Sequence, residues 1–133
     1  MINYQNIRDL FSNLENNNSA EFFKNVADNV EWKVMGQHPL GGLYNSKESF
    51  LESTFHRLNK ILKDGVILKV NDIFIDERKN VAIVEMDSIS IAKDGKPFDN
   101  IYCWIVHFND QVITKVHAYV DSALVKQLIE ENE

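Results

Sequence analysis

Residues 98–120 read FDNIYCWIVHFNDQVITKVHAYV. Two apolar runs, Phe98 to Phe108 and Val112 to Val120, are separated by Asn109-Asp110, a short polar joint that brings consecutive strands side by side. Aromatic and β-branched side chains fill both runs, as a pleated, half-buried surface favours. The pair reads as two antiparallel neighbours.

Upstream, Val66 to Ile75 and Val81 to Ala92 alternate in the same way, and Asp94-Gly95 marks a further hairpin. Four such segments in succession predict an antiparallel meander. Earlier still, Val30, Trp32 and Val34 alternate with Glu31, Lys33 and Met35, a strand with one buried face that ends at Gly36. Gln37-His38-Pro39-Leu40-Gly41-Gly42 is then a loop, since its proline and glycines interrupt regular structure.

Outside the strands the period changes to that of a helix. Ile7, Leu10, Phe11 and Leu14 mark a first amphipathic helix, and Ser19 caps a short second one carrying Phe22, Phe23 and Val26. Asn45 and Glu48 have the spacing of a capping box, which predicts a third and longest helix with Phe50, Leu51, Phe55, Leu58, Ile61 and Leu62 on one face. A last helix over Ser122 to Glu130 presents Leu124, Val125, Leu128 and Ile129. Helices segregated to one side of an antiparallel sheet define the α+β class, and a long curved sheet closed by helices leaves a concave apolar interior.

With 133 residues, 44% of them apolar and 26% charged, the chain has the composition of one globular domain. Fourteen basic against twenty acidic residues leave a net charge of -6 and no basic patch, which argues against nucleic acid as a partner. The single cysteine, Cys103, excludes an internal disulfide and thiolate metal sites, and fits a reducing compartment. Met1 to Asp9 mix polar and charged residues, so neither a signal peptide nor a membrane span is expected, and the cytoplasm is the default location. His38, His56, His107 and His117 are scattered without ligand spacing, and no phosphate loop, nucleophile elbow or dinucleotide fingerprint occurs. Neither a metal nor a cofactor is therefore expected.

Three places resemble the NTF2-like superfamily, and within it the SnoaL-like group related to polyketide cyclases and ketosteroid isomerases. They are Trp32-Lys33-Val34-Met35-Gly36 with His38 to Tyr44, the pair Val84-Glu85 and Asp94 to Trp104, and the closing Val116-His117-Ala118-Tyr119-Val120-Asp121. The resemblance spans nearly the whole chain, so residues 1–133 are read as a single SnoaL-like domain. It implies a cone in which a curved antiparallel sheet wraps around N-terminal helices and encloses a pocket, with homodimerisation through the outer face of the sheet. Across the group that pocket serves isomerisation, cyclisation, dehydration, epoxide hydrolysis or binding alone, so fold does not name the reaction.

The resemblance to the cyclase branch makes Asp121 the candidate acid/base, and a carboxylate in a dry pocket has the raised pKa that proton abstraction beside a carbonyl needs. The competing reading of Asp121 is an N-cap for the last helix. Strand alternation places His117, Tyr119 and Asp121 on one face, so His117 is the second catalytic candidate. Glu85 is read as lining the pocket and Asp87 as lying at its rim or in a dimer contact. Glu85 stands where epoxide-hydrolysing relatives carry an Arg, which weakens that activity. Trp32, His38, Tyr44, Tyr102, Trp104 and Tyr119 complete the expected ligand-binding set, the aromatics gripping a flat ring. The leading expectation is a cofactor-independent lyase or isomerase acting on a small hydrophobic, carbonyl-bearing compound. The alternatives are a non-catalytic pocket protein and a dimeric interaction module.

Overall fold

In chain order the elements are α1 (Tyr4–Glu15), α2 (Ser19–Phe23), β1 (Val26–Val34), β2 (Gly42–Tyr44), α3 (Lys47–Ser53), α4 (Phe55–Asn59), β3 (Leu68–Asp76), β4 (Val81–Ser88), β5 (Ser90–Ile91), β6 (Pro97–Phe98), β7 (Ile101–Asn109), β8 (Val112–Val120) and α5 (Ser122–Asn132). They come from a computed structural model that describes residues 2–133. The main sheet has six strands in the order β2-β1-β8-β7-β4-β3, and β5 and β6 form a separate two-stranded hairpin.

The meander is as the alternation predicts. β7 and β8 pair antiparallel across Asn109 to Val112, and Asp110 takes φ 55°, a left-handed turn conformation that Asp tolerates. β3 and β4 join through Asn80, likewise at φ 56°. Two long runs are interrupted, however. The segment 81–92 divides after Ser88, and 98–108 divides around Asp99 and Asn100, where the Asn100 carbonyl still accepts from the Ser88 N–H at 2.9 Å and its side chain accepts from the Asp121 N–H at the start of the last helix. The chain between these breaks makes the hairpin at Asp94-Gly95, with Gly95 at φ 92°.

One pairing departs from the antiparallel expectation: β1 lies parallel to β8, with Trp32 opposite Val116 and Val34 opposite Ala118. These two strands meet from opposite ends of the sequence. No hairpin sets their direction, so local pattern carries no information about it.

Helix α1 buries Ile7, Phe11 and Leu14, and Asn3 caps it by accepting from the Asn6 N–H at 2.8 Å. At its other end Glu15 accepts from the Val70 N–H at 2.9 Å and pairs with Arg8 at 3.1 Å. That bond fastens the helix to β3 at the bulge between Val70 and Asp72. The predicted long third helix is broken at Thr54 (φ -122°, ψ -81°), whose Oγ1 donates to the Phe50 carbonyl at 2.6 Å. This local bond competes with helix continuation. Ser46, not Asn45, caps α3, and the longest helix is α1 with 12 residues.

The sheet sorts its side chains by alternation. Inward rows run Trp32, Val116, Val106 and Ala82; then Val34, Ala118, Trp104 and Val84; then Val120, Tyr102 and Met86. Phe11, Phe22, Phe23, Phe50 and Phe55 close over these rows and are buried. Truncating such a residue to alanine costs roughly 3–5 kcal/mol, so the inner face is a core before it is a site.

Candidate functional site

Beneath the curved sheet the packing leaves a part-enclosed cavity of about 50 Å³. Trp32 and Val34 of β1, Tyr102 and Trp104 of β7, and Ala118 and Val120 of β8 form its ceiling. Phe50, Thr54, Phe55 and Leu58 from the α3–α4 region, with Val66, Leu68 and Val125, form the opposite wall, and His38 and Leu40 contribute the loop side. One water needs roughly 10–15 Å³ of such space, so the cavity has room for a few waters or one small ring.

Five side chains with polar atoms contribute to this lining: Tyr102, Thr54, His38 and the indoles of Trp32 and Trp104. The Tyr102 hydroxyl has no hydrogen-bond partner among the described residues, and burial pushes its pKa well above the usual phenol range. It is therefore a neutral O–H donor at any physiological pH. Trp32 is fully buried, and its indole N–H has no partner either. The Thr54 hydroxyl donates to Phe50 and retains lone pairs that can accept.

His38 is committed to structure at both ring nitrogens. Nδ1 accepts from the Leu40 N–H at 3.2 Å, which leaves the proton on Nε2 to donate to the Met35 carbonyl at 2.9 Å. The ring is thus neutral and fixes the loop after β1. Two tight glycines assist: a Cβ on Gly36, at φ 99°, would collide with Ser122 Oγ, and one on Gly41 would collide with the Gly36 carbonyl. The Tyr44 hydroxyl donates to the Leu40 carbonyl at 2.8 Å while its ring meets Phe50 edge-on, so Tyr44 backs the wall and does not line the cavity.

The remaining expected site residues lie elsewhere. His117 and Tyr119 share one face of β8 as alternation requires, but it is the outer face, because Val116, Ala118 and Val120 take the inward positions. Glu85 is exposed on the same outer face, opposite Cys103, and its charge adds to burial in raising the Cys103 thiol pKa. His117 stacks edge-on toward His107 with ring centres 6.3 Å apart. Asp121 is exposed and is the N-cap of α5, its Oδ1 accepting from the Ala123 and Leu124 N–H groups at 3.1 and 3.3 Å. The Asp121 carboxylate thus stabilises a helix end and does not line the cavity. Thr54, Phe50, Phe55 and Leu58 were absent from the expected set; their helical spacing marks them as an inward face but carries no sign of a cavity.

No known family model matches the chain. An NTF2-like protein from Burkholderia thailandensis superposes with a TM-score of 0.78 over 95% of both chains at 21% identity. The chain has the NTF2-like fold. The BvnE pinacolase from Penicillium brevicompactum has the same fold, with a TM-score of 0.75 over 94% of this domain and 89% of that chain at 16% identity. In sequence, the chain is 30% identical over 129 residues to the dimerizing cyclase phiC of a fungal species (strain ATCC 74256). That match covers 96% of the domain and 57% of phiC, so the domain spans little more than half of this relative. One cyclase by sequence and one pinacolase by fold thus stand among the proteins that the chain resembles.

The cavity offers hydrogen-bond donors in a mostly apolar enclosure, with no Asp, Glu, Lys or Arg in its lining. Such an arrangement suits polarisation of a neutral carbonyl oxygen, because a donor in an apolar, part-enclosed cavity acts on developing negative charge more strongly than it does in bulk water.

Among the described residues no helix is long and apolar enough to cross a membrane.

Proposed function

We propose that residues 1–133 act as one cofactor-independent domain of the cyclase or isomerase type, which takes a small hydrophobic carbonyl compound into the cavity beneath the sheet. The observation that carries this reading is Tyr102: a half-buried phenol whose hydroxyl has no hydrogen-bond partner among the described residues, in a mostly apolar, aromatic cavity. Its O–H donates to the substrate carbonyl. As the carbonyl oxygen gains negative charge during ring closure or rearrangement, that bond strengthens, and loss of one such donor slows a reaction by roughly 10²–10³-fold. Trp104, Phe50 and Ala118 hold the substrate folded, so the reacting atoms meet without a further loss of entropy.

The cavity holds no carboxylate, and the one imidazole there is bonded at both nitrogens. The chemistry served best is therefore ring closure or rearrangement driven by carbonyl polarisation, not abstraction of a proton by an acidic side chain. The cyclase and pinacolase names among its relatives support this reading.

The test is a screen of small cyclic ketones and enones for turnover by the wild-type protein, followed by mass spectrometry, with Tyr102→Phe as the control. Turnover that falls about a hundredfold in the variant is the expected result. Unchanged turnover in Tyr102→Phe contradicts it. A second reading, non-catalytic binding, is favoured by the absence of any ionised side chain in the lining. In that case the wild type binds and converts nothing.

We further propose a homodimer formed through the outer face of the sheet, where Leu43, Phe74, Ile101 and Tyr119 are exposed together, and residence in the cytoplasm, which suits the free thiol of Cys103.

A further inference from the structure

We infer that the outer face of the sheet is complementary in charge to itself, and that a second copy seats on it about a two-fold axis running along the strands. Lys33 of each copy then meets Glu85 and Asp72 of the other. The inference rests on the proposed homodimer and adds its orientation.

Alternation and register map the charges of this face. On one half, Glu31 and Lys33 of β1 point outward beside Lys115 and His117 of β8. On the other, Glu85 and Asp87 of β4 point outward beside Asp72 and Lys69 of β3. Some of these charges have an opposite neighbour on the adjoining strand: Glu31 stands opposite Lys115, and Lys69 opposite Asp87. Lys33 and the Glu85–Asp72 pair do not. Lys33 lies between Leu43 and His117, and Glu85 lies between Asp72 and Cys103. All three are exposed, and none is in an ion pair among the described residues. Asp72 gives one carboxylate oxygen to the Ile73 N–H at 2.8 Å and keeps the other.

The strand order sets where these charges fall when two copies meet. In β2-β1-β8-β7-β4-β3, β1 and β4 are each second from an edge. A two-fold axis along the strands, between β8 and β7, lays β1 of one copy over β4 of the other. Lys33 is level with His117, Ile105 and Ile83, one outward position from Glu85. That step of roughly 7 Å is within reach of a lysine side chain. An axis across the strands instead lays each strand over its own counterpart and brings Glu85, in the middle of β4, onto Glu85 of the other copy. Like charges in register oppose association, so the first arrangement is selected.

The face is large enough for a stable contact. Five long strands ~4.8 Å apart and ~30 Å long cover roughly 700 Å², near the ~800 Å² that each partner buries in a standard interface. Half-buried Ile83 and Ile105 lie between the two charged halves and supply an apolar centre.

The experiment exchanges charge between copies. Lys33→Glu and Glu85→Lys are studied by sedimentation velocity, each alone and as an equimolar mixture, with circular dichroism to check that both fold. Alone, each variant places like charges at both symmetry-related contacts and should dimerise roughly tenfold or more weakly than the wild type. The mixture forms a heterodimer with opposite charges at both contacts, and should regain wild-type affinity to within about threefold. If each variant dimerises as the wild type does, or the mixture stays as weak as its components, the inference falls while the homodimer stands. If the wild type is a monomer at every concentration, the homodimer falls and the inference with it.

Discussion

Asn100 and Asp121 hold each other by two hydrogen bonds: the Asp121 N–H donates to Asn100 Oδ1 at 3.1 Å, and Asn100 Nδ2 donates to the Asp121 carbonyl at 3.2 Å. Asn100 Oδ1 also accepts from the Ile101 N–H at 2.7 Å, and its side chain is only 1% exposed. One amide thus joins the start of β7 to the end of β8, and the Asp121 carboxylate starts α5. Asp121→Ala should cost about 1 kcal/mol of stability, the usual worth of an N-cap. Asn100→Ala should cost more, roughly 1–3 kcal/mol, because it leaves buried groups unpaired. Urea unfolding of both variants checks the order, and a larger loss in Asp121→Ala contradicts it.

The outer face of the sheet carries the second prediction. Ile101 is 67% exposed, Phe74 50% and Tyr119 41%, on one continuous surface of β3, β7 and β8. Phe74→Lys and Tyr119→Lys should each convert a dimer to a monomer in sedimentation velocity and leave the cavity intact. A wild-type protein that sediments as a monomer at all concentrations contradicts the dimer.

The third concerns pH. Burial, then the Lys115 and His117 charges, hold the His107 pKa below the ordinary histidine value. The unfolded chain therefore takes up a proton more readily than the folded one. The associated stability is fully present above about pH 6.5 and declines as pH falls from there through the lowered folded pKa. His107→Gln should flatten the fall in Tm between pH 7 and pH 5; an unchanged slope assigns that fall to other groups.

A fourth prediction tests the loop beside the cavity. Gly36→Ala forces a Cβ onto Ser122 Oγ at a positive φ that alanine rarely adopts. The cost should be roughly 1–3 kcal/mol, and the double variant Gly36→Ala, Ser122→Gly should recover only the collision component. Full recovery would mean that the backbone angle contributes nothing.

Alternation made the sheet legible. The bounds of β8, 112–120, the inward Trp32 and Trp104, and the hairpins at Asp94-Gly95 and Asn109-Asp110 all follow from it. A period of two, however, says which residues share a face and not which face is inside. Alternation groups His117 with Tyr119, and the structure sets that face on the outside, because Val116, Ala118 and Val120 close the core. Glu85 lies on that outer face too, between the inward Val84 and Met86. The parallel pairing of β1 with β8 and the break at Thr54 depend on contacts or single side-chain bonds that no periodicity records.

The central claim is that the chemistry belongs to the donors inside the cavity and not to the Asp121 and His117 side chains outside it. The most direct measurement compares turnover of one converted ketone by Tyr102→Phe, Asp121→Asn and His117→Gln under conditions where all three are folded. The account predicts about a hundredfold loss in Tyr102→Phe and turnover within about twofold of wild type in the other two. A profound loss in Asp121→Asn or His117→Gln, with Tyr102→Phe active, would contradict it.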